Sequence, residues 1–102
     1  MTDLTQVLPG PGAARVGAVV IGRNEGPRLA ACLASLRAEA VAPLIYVDSG
    51  STDDSLGIAR RAGAEVVVLD PTLPFTAARA RNAGFAQLTS GPDAPPLVMF
   101  ID

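Results

Sequence analysis

About half of the residues in this 102-residue chain are apolar and few are charged, so the chain is too hydrophobic to be disordered and fits one folded domain. The formal net charge of −2 argues against a general nucleic-acid-binding protein, which would carry a basic patch. The sequence contains no Lys and no His, which excludes a His-based catalytic triad and a His-ligated zinc site.

The sequence has a single cysteine, Cys32, which excludes an intrachain disulfide. Because Cys32 falls on the apolar side of a predicted helix, we expect it to act as a small buried hydrophobic residue. The N-terminus lacks the basic start and long apolar run of a signal peptide, and no apolar run approaches the ~20 residues that span a membrane. We therefore expect a cytoplasmic protein.

The chain is predicted to begin with a loose lead-in over residues 1–15, because the Pro-Gly repeat at Pro9–Gly12 cannot sit inside a helix or strand. The domain then covers residues 16–102. Its first strand is predicted at Val16–Gly22, a continuous apolar run typical of a strand that is buried on both faces.

The first helix is predicted at Pro27–Ala40, with Pro43 ending it and Leu44–Val47 forming a second buried strand. Apolar residues recur along this helix at the spacing i, i+3, i+4, i+7, which forms one stripe on its surface. That stripe consists of Leu29, Cys32, Leu33 and Leu36.

The same alternation continues to the last residue of the chain. A shorter helix is predicted at Thr52–Ala62, a third strand at Ala64–Leu69, a third helix at Phe75–Thr89 and a fourth strand at Leu97–Ile101. Short apolar strands that alternate with amphipathic helices predict an α/β fold with a parallel sheet and helices on both faces. Among the few topologies that right-handed crossovers allow, we favour a Rossmann-like strand order of 3-2-1-4.

Ligands of such sheets bind beyond the carboxyl ends of the strands, near the point where the strand order reverses. The predicted order brings Glu25, Asp48 and Asp102 to one rim there. Clustered carboxylates repel one another unless a cation, a proton or a ligand donor lies among them. Asp70 precedes a proline and is as consistent with a turn as with a ligand.

Two interpretations compete for the segment after the second strand. Ser51 or Thr52 could cap the next helix, with Asp53 and Asp54 complementing its positive end, and we favour that role for these two acids. Asp48 precedes any capping position, so we expect its carboxylate to point toward the ligand crevice.

The third helix places an arginine on the side that should face the sheet. Arg81 needs an anionic partner there, either a ligand phosphate or a rim aspartate in a structural ion pair, and the pattern leaves both open. Arg79 is predicted on the opposite, solvent side. The predicted inner side comprises Ala78, Arg81, Asn82, Phe85 and Leu88.

Four segments together resemble the family 2 glycosyltransferases, inverting enzymes with a GT-A fold that use nucleotide-activated sugars. The segments are "VVIGRNEGPRLAACLASL", "IYVDSGSTDDS", "PFTAARARNAGF" and "LVMFID", in the family's order and spacing. The resemblance covers residues 16–102 and implies the N-terminal, nucleotide-sugar-binding part of a GT-A fold.

The resemblance also implies which residues bind the nucleotide. Arg23, Asn24 and Glu25 resemble the loop that borders the base and ribose, and Asp48 resembles the acid that contacts one of them. Ser49 stands where many relatives have Asp or Asn, so the contacts to the base could differ. The loop "GRNE" replaces the family's usual "PTYNE", which removes a tyrosine from the base pocket.

At the diphosphate, the resemblance assigns Arg81 and Asn82 to the segment near the base and phosphates. It assigns Asp102 to the first acid of the D-x-D motif, which holds Mg²⁺ or Mn²⁺ on the diphosphate of the sugar nucleotide. The acceptor half and the general base would lie beyond residue 102, so the chain resembles the donor half of such an enzyme.

The resemblance implies a nucleotide-sugar donor and an unidentified acceptor, which could be a glycan, a lipid-linked acceptor or a small molecule. It leaves open a peripheral association of the full-length enzyme with a membrane. The alternatives are a non-catalytic nucleotide-binding module, a nucleotidyltransferase, which "GRNEG" matches poorly, and an interaction fragment that binds neither nucleotide nor metal.

Overall fold

The structure, a computed structural model, describes residues 15–102. The predicted lead-in therefore lies outside the described residues, except for Arg15. The predicted βαβαβαβ order is confirmed, with every element boundary within three residues of the predicted one. The elements are β1 (Val16–Gly22), α1 (Pro27–Ala38), β2 (Leu44–Asp48), α2 (Ser55–Arg61), β3 (Glu65–Val68), α3 (Ala77–Leu88) and β4 (Leu97–Ile101).

The strands form one parallel sheet in the order β3-β2-β1-β4, as predicted. Gly22 at the end of β1 pairs with Asp48 at the end of β2, and Val20 pairs with Ile101 near the end of β4. The carboxyl ends of these strands therefore meet at one edge of the sheet, where the loops after them converge.

Helices cover both faces of the sheet, which confirms the predicted layers. On one face, the predicted stripe of α1 is buried through Leu29, Leu33 and Leu36, and Ala59 of α2 joins the same core. Cys32 is partly buried against this core, and burial raises the pKa of its thiol. On the other face, the core contains Val19, Ile21, Ile45, Val47, Leu69, Ala80 and Leu88.

Burial falls from the middle of the sheet to its edges. β1 and β2 are almost completely buried, as their continuous apolar runs predict, whereas β3 and β4 expose several side chains. Along β4, 53% of Leu97, 41% of Met99 and 42% of Phe100 is exposed. The side chains of a strand are buried by the layers above and below the sheet, and α3 packs mainly over β1 and β2, which leaves the edge strands less covered.

The predicted inner side of α3 is largely wrong, because only Leu88 of the predicted residues is buried. The helix buries Ala80, Gly84 and Leu88, at the spacing i, i+4, i+8, and leaves Phe85 on its exposed surface. Small residues allow α3 to lie very close to the sheet, where the added Cβ of an alanine at Gly84 would overlap Val19 and lie 2.9 Å from Val47. The prediction placed the largest apolar residues of α3 against the sheet. In the structure the smallest residues lie there, because the helix packs very close to the sheet.

Among residues 15–102, every helix is too short or too polar to cross a lipid bilayer.

Gly84→Ala is expected to destabilise the protein although alanine favours helices. The gain in helix propensity is about 1 kcal/mol, whereas overpacking against two buried β-branched side chains costs about 1–3 kcal/mol. Urea unfolding would measure the loss as a lower midpoint at an unchanged slope. Gly91→Ala is the matched control, because its added Cβ meets no atom within 4 Å. An equal or higher stability of Gly84→Ala would show that α3 can move away from the sheet.

Candidate functional site

The turn between β2 and α2 is organised by the carboxylate of Asp48, which is 2% exposed. One oxygen accepts hydrogen bonds from the hydroxyls of Tyr46 (2.7 Å) and Ser51, and the other accepts from the backbone N–H groups of Gly50 (3.0 Å) and Ser51 (2.8 Å). The expectation that this carboxylate points into an open crevice is therefore wrong. Asp48 lies two residues after Tyr46, on the same face of the sheet as α1 and α2.

These hydrogen bonds determine how Asp48 titrates. Burial by itself would raise the pKa of the carboxyl, but the bonds from Ser51, Tyr46 and Gly50 favour the charged form more strongly, so the pKa is lowered. Burial, followed by the bond to Asp48, raises the pKa of the Tyr46 phenol. The pair is therefore a phenol hydrogen-bonded to a carboxylate throughout the neutral range.

Asn24 joins the loop after β1 to the loop after β2. Its backbone N–H donates to the Ser51 hydroxyl (2.8 Å), and its side-chain oxygen accepts from the backbone N–H groups of Thr52 (2.7 Å) and Asp53 (3.2 Å). Asn24 adopts a positive φ of 53°, a left-handed conformation that asparagine tolerates better than most residues. The two loops therefore form one connected unit.

The predicted capping of α2 by Ser51 or Thr52 is wrong, because both residues belong to this loop junction and the helix begins later, at Ser55. Asp53 lies near the start of the helix, as predicted, and accepts from the Ser55 N–H at 2.9 Å. Asp54 occupies the N-cap position but contacts Arg61 at 2.7 Å instead of capping.

A cavity of about 330 Å³ opens beyond the carboxyl ends of β1, β2 and β3. Two of the predicted nucleotide-binding residues, Arg23 and Ser49, line it, together with Gly50. The Ser49 hydroxyl donates to the Gly22 carbonyl at 3.2 Å, so it faces the cavity mainly as an acceptor. The remaining lining comes from the loop after β3 and from α3, through Leu69, Asp70, Pro71, Leu73, Phe75 and Arg79.

A second cavity, of 220 Å³, lies between the start of α1 and the end of β4. Glu25 and Asp102 both line it, whereas Asp48 remains enclosed in its own turn. The predicted rim of three carboxylates is therefore divided. Glu25 pairs with Arg28 at 3.0 Å, and residues 15–102 contain no group of three acidic or cysteine side chains arranged to hold a metal.

Arg81 reaches the end of β4. Its guanidinium contacts the Asp102 carboxylate at 3.1 Å, and the two side chains are 43% and 59% exposed. The structure thus contains the ion pair with a rim aspartate, which is one of the two partners that the sequence left open for Arg81. Asn82, the next predicted residue, is exposed on α3.

Arg79 was predicted on the solvent side, and its actual role was missed. Its guanidinium donates to the backbone carbonyls of Asp70 (3.1 Å), Pro74 (3.2 Å) and Leu73 (3.5 Å). Thr76 caps α3 by accepting from the Arg79 N–H at 3.0 Å. Thr76 as the N-cap was the available sequence signal, because it places Arg79 at the third helical position, from which a side chain can reach back past the start of the helix.

Asp70 forms a turn, which was one of its two predicted roles. Its carboxylate accepts from the backbone N–H (2.9 Å) and the hydroxyl (2.7 Å) of Thr72. These two bonds, followed by the charge of Arg79, lower the pKa of Asp70.

The family model described as Glycosyl transferase family 2 matches residues 18–102. The chain belongs to this family. A protein of Rickettsia felis described as an uncharacterized glycosyltransferase is 41% identical over 54 residues, which make up 53% of this chain and 19% of that protein. This match agrees with the resemblance carried by the four sequence segments.

Solved structures of glucosyl-3-phosphoglycerate synthase from Mycobacterium tuberculosis share the fold at 28% sequence identity. The complex with Mn²⁺, uridine diphosphate (UDP) and glucosyl-3-phosphoglycerate has a TM-score of 0.64 and covers 88% of this chain and 33% of that one. The complex with phosphoglyceric acid has a TM-score of 0.59 over 74% of this chain. This chain therefore spans about a third of the length of these structures. The shared fold confirms the predicted α/β architecture of a GT-A fold.

Asp48→Asn is expected to lower the free energy of unfolding by about 1–3 kcal/mol at neutral pH, because the amide cannot accept all the donors that the carboxylate satisfies. A carboxyl with a lowered folded-state pKa stabilises the fold above its unfolded pKa of about 3.9, and this stability is lost as the pH falls through the folded pKa. The difference in the free energy of unfolding between the wild type and the variant should therefore become smaller in acid.

Urea unfolding of both proteins over a pH series would measure this difference. Asp54→Asn is the control, because it removes an exposed ion pair worth at most about 1 kcal/mol. A difference that stays constant or widens below about pH 4 would contradict the assignment of the lowered pKa to Asp48.

Proposed function

We propose that this chain is the donor-binding part of a glycosyltransferase that transfers a sugar from a nucleoside-diphosphate sugar to an acceptor hydroxyl, with inversion at the sugar. The observation that carries the proposal is the 330 Å³ cavity beyond the strand ends, lined by Arg23 and Ser49, in a chain of family 2. This is the place where open α/β sheets bind ligands.

Within this proposal, the predicted residues divide into two groups. Arg23 and Ser49 contact the base and ribose, since both line the cavity. Asp48 and Asn24 act indirectly, because their hydrogen bonds hold the two loops that carry Arg23 and Ser49. UDP is the first nucleotide to test, because the related mycobacterial synthase was solved with UDP.

The diphosphate is proposed to lie near Arg81, Asn82 and Asp102, at the end of β4. Asp102 offers an exposed carboxylate oxygen, and Mg²⁺ or Mn²⁺ commonly takes one or two protein carboxylates together with phosphate oxygens of the substrate. The residues present therefore fit a cation that the substrate helps to hold. When bound, such a cation supplies charge neutralisation for the diphosphate leaving group.

In the proposed reaction, the acceptor hydroxyl attacks the anomeric carbon while the nucleoside diphosphate departs on the opposite face. Arg81 can share the phosphate charge through its guanidinium. Glu25 lines the neighbouring 220 Å³ cavity, on the other side of the strand ends from the proposed position of the nucleobase. The base that takes the proton from the acceptor is assigned to the part of such an enzyme that residues 15–102 do not include.

Calorimetric titration of the purified chain with UDP, GDP and dTDP, each with and without Mn²⁺, tests the proposal directly. We expect binding of at least one nucleotide, strengthened by Mn²⁺. Asp102→Asn should remove most of the metal effect, whereas Asp93→Asn, on the exposed loop before β4, is the matched control. Nucleotide binding with the same affinity in the presence and absence of Mn²⁺ would instead favour a nucleotide-binding module without catalysis. The absence of any nucleotide binding would favour an interaction fragment.

Arg81→Ala is expected to weaken nucleotide binding about tenfold or more, because charge-assisted hydrogen bonds to phosphate are lost. The fold should survive, since exposed ion pairs contribute at most about 1 kcal/mol. Arg60→Ala, on the exposed side of α2, is the control for losing one positive charge. A large drop in the unfolding midpoint of Arg81→Ala would show that the ion pair with Asp102 is structural.

We expect the 102-residue chain to bind donor nucleotide without turning it over, since it spans only 33% of the length of the mycobacterial synthase. A coupled assay for released nucleoside diphosphate, with UDP-sugars, Mn²⁺ and candidate acceptors, measures this. Turnover would contradict the donor-half assignment. Release of pyrophosphate from a nucleoside triphosphate and a sugar phosphate would indicate a nucleotidyltransferase.

A further inference from the structure

The loop between β3 and α3 exposes two large apolar side chains at the cavity beyond the strand ends. Leu73 is 52% exposed and Phe75 is 53% exposed, and both line the 330 Å³ cavity next to Leu69 and Pro71. Single exposed apolar residues are common on protein surfaces, whereas several apolar residues that line one cavity are typical of a ligand-binding surface. Among residues 15–102, Phe75 belongs to neither of the two core clusters that flank the sheet.

One side chain holds this loop in place. Arg79 donates from α3 to the carbonyls of Asp70, Leu73 and Pro74, and so spans the loop from its second residue almost to Phe75. The loop also bonds to itself where the Leu73 N–H donates to the Asp70 carbonyl at 3.2 Å. Because the guanidinium is a rigid, planar donor, it can fix several carbonyls at once.

The cavity has two chemically different sides. The loop supplies four apolar residues beside the charged Asp70, whereas Arg23, Ser49 and Gly50 supply a wholly polar side with a cation, an acceptor hydroxyl and backbone. Among the residues that line this cavity, Phe75 is the aromatic one. The tyrosine of the neighbouring strand, Tyr46, is completely buried in the core. A planar group with polar edges, such as a nucleobase, fits both sides because its face is apolar and its edge forms hydrogen bonds.

We propose that Phe75 is the platform on which the nucleobase of the donor stacks, and that Arg79 is the positioning residue that holds this platform against the cavity. The inference rests on the proposed function, because it assigns the base to the same cavity. Phe75 thereby supplies the aromatic surface that the loop after β1 lacks.

Phe75→Ala is expected to weaken UDP binding about tenfold, the usual loss when a base loses one aromatic partner, and Phe75→Tyr should restore it. The matched control is Phe85→Ala, which removes a similarly exposed phenylalanine on α3 that does not line the cavity. Urea unfolding of all three variants checks that the fold is retained. Unchanged UDP affinity in Phe75→Ala would overturn the proposal.

Arg79→Met should also weaken UDP binding, and the double variant Phe75→Ala/Arg79→Met should bind no more weakly than Phe75→Ala. This non-additivity is expected because Arg79 acts through Phe75, and two residues with independent roles would give additive losses. Arg60→Met controls for the loss of charge. Additive losses would overturn the positioning role of Arg79.

A tryptophan reporter separates this proposal from the proposed function. The chain has no Trp, so Phe75→Trp introduces a single indole whose emission should change when UDP binds and stay constant with inorganic pyrophosphate, which has no base. Phe85→Trp should respond to neither. If calorimetry shows UDP binding while the indole at position 75 stays silent, the stacking proposal is wrong and the proposed function stands. If no nucleoside diphosphate binds the wild-type chain, both are wrong.

Discussion

The buried carboxylate of Asp48 is the interaction on which the ligand-binding edge depends. It accepts hydrogen bonds from two hydroxyls and two backbone N–H groups at the end of β2, where that strand leaves the core. A charged group can remain buried there because each donor favours its ionised form. The resulting turn passes through Gly50 at a φ of 114°, a conformation that glycine adopts without strain, and it directs Ser49 toward the cavity on the other face.

The edge of the sheet is divided into two chemically distinct places. On the side of α3, arginines and an apolar loop surround a space suited to a planar group with polar edges. On the side of α1, the smaller cavity is lined by Glu25 and Asp102 together with Arg28, which pairs with Glu25. A nucleoside-diphosphate sugar carries a base at one end and a charged diphosphate near its middle, so a bound donor would need both environments close together. The convergence of three strand ends provides that proximity.

The sequence predicted the sheet correctly, including its order, because the apolar runs of the central strands and the stripe of α1 are strong, unambiguous patterns. The prediction from the sequence was wrong for α3, where close packing against the sheet mattered more than the hydrophobicity of the side chains. Gly84 and Ala80, rather than Phe85, form the buried side of α3, and the periodicity of large side chains cannot reveal this.

The site was predictable in outline because polar residues follow the ends of buried strands. Its details depend on hydrogen bonds between loops that are distant in the sequence, such as the contact between Asn24 and Thr52. Those partners determine whether a carboxylate such as Asp48 faces a ligand or a turn. Arg79 shows the same limit, because its three carbonyl partners lie on a loop whose path the sequence does not specify.

The two edges of the sheet also differ in how they meet solvent. β3 is four residues long and begins with the charged Glu65, whereas β4 has five residues, all apolar, with more than 40% of Leu97, Met99 and Phe100 exposed. Short, charged edge strands discourage association, and uncharged apolar ones act as templates for a further strand. At high concentration, self-association of the isolated chain would therefore begin along β4, and a single lysine introduced there would oppose it.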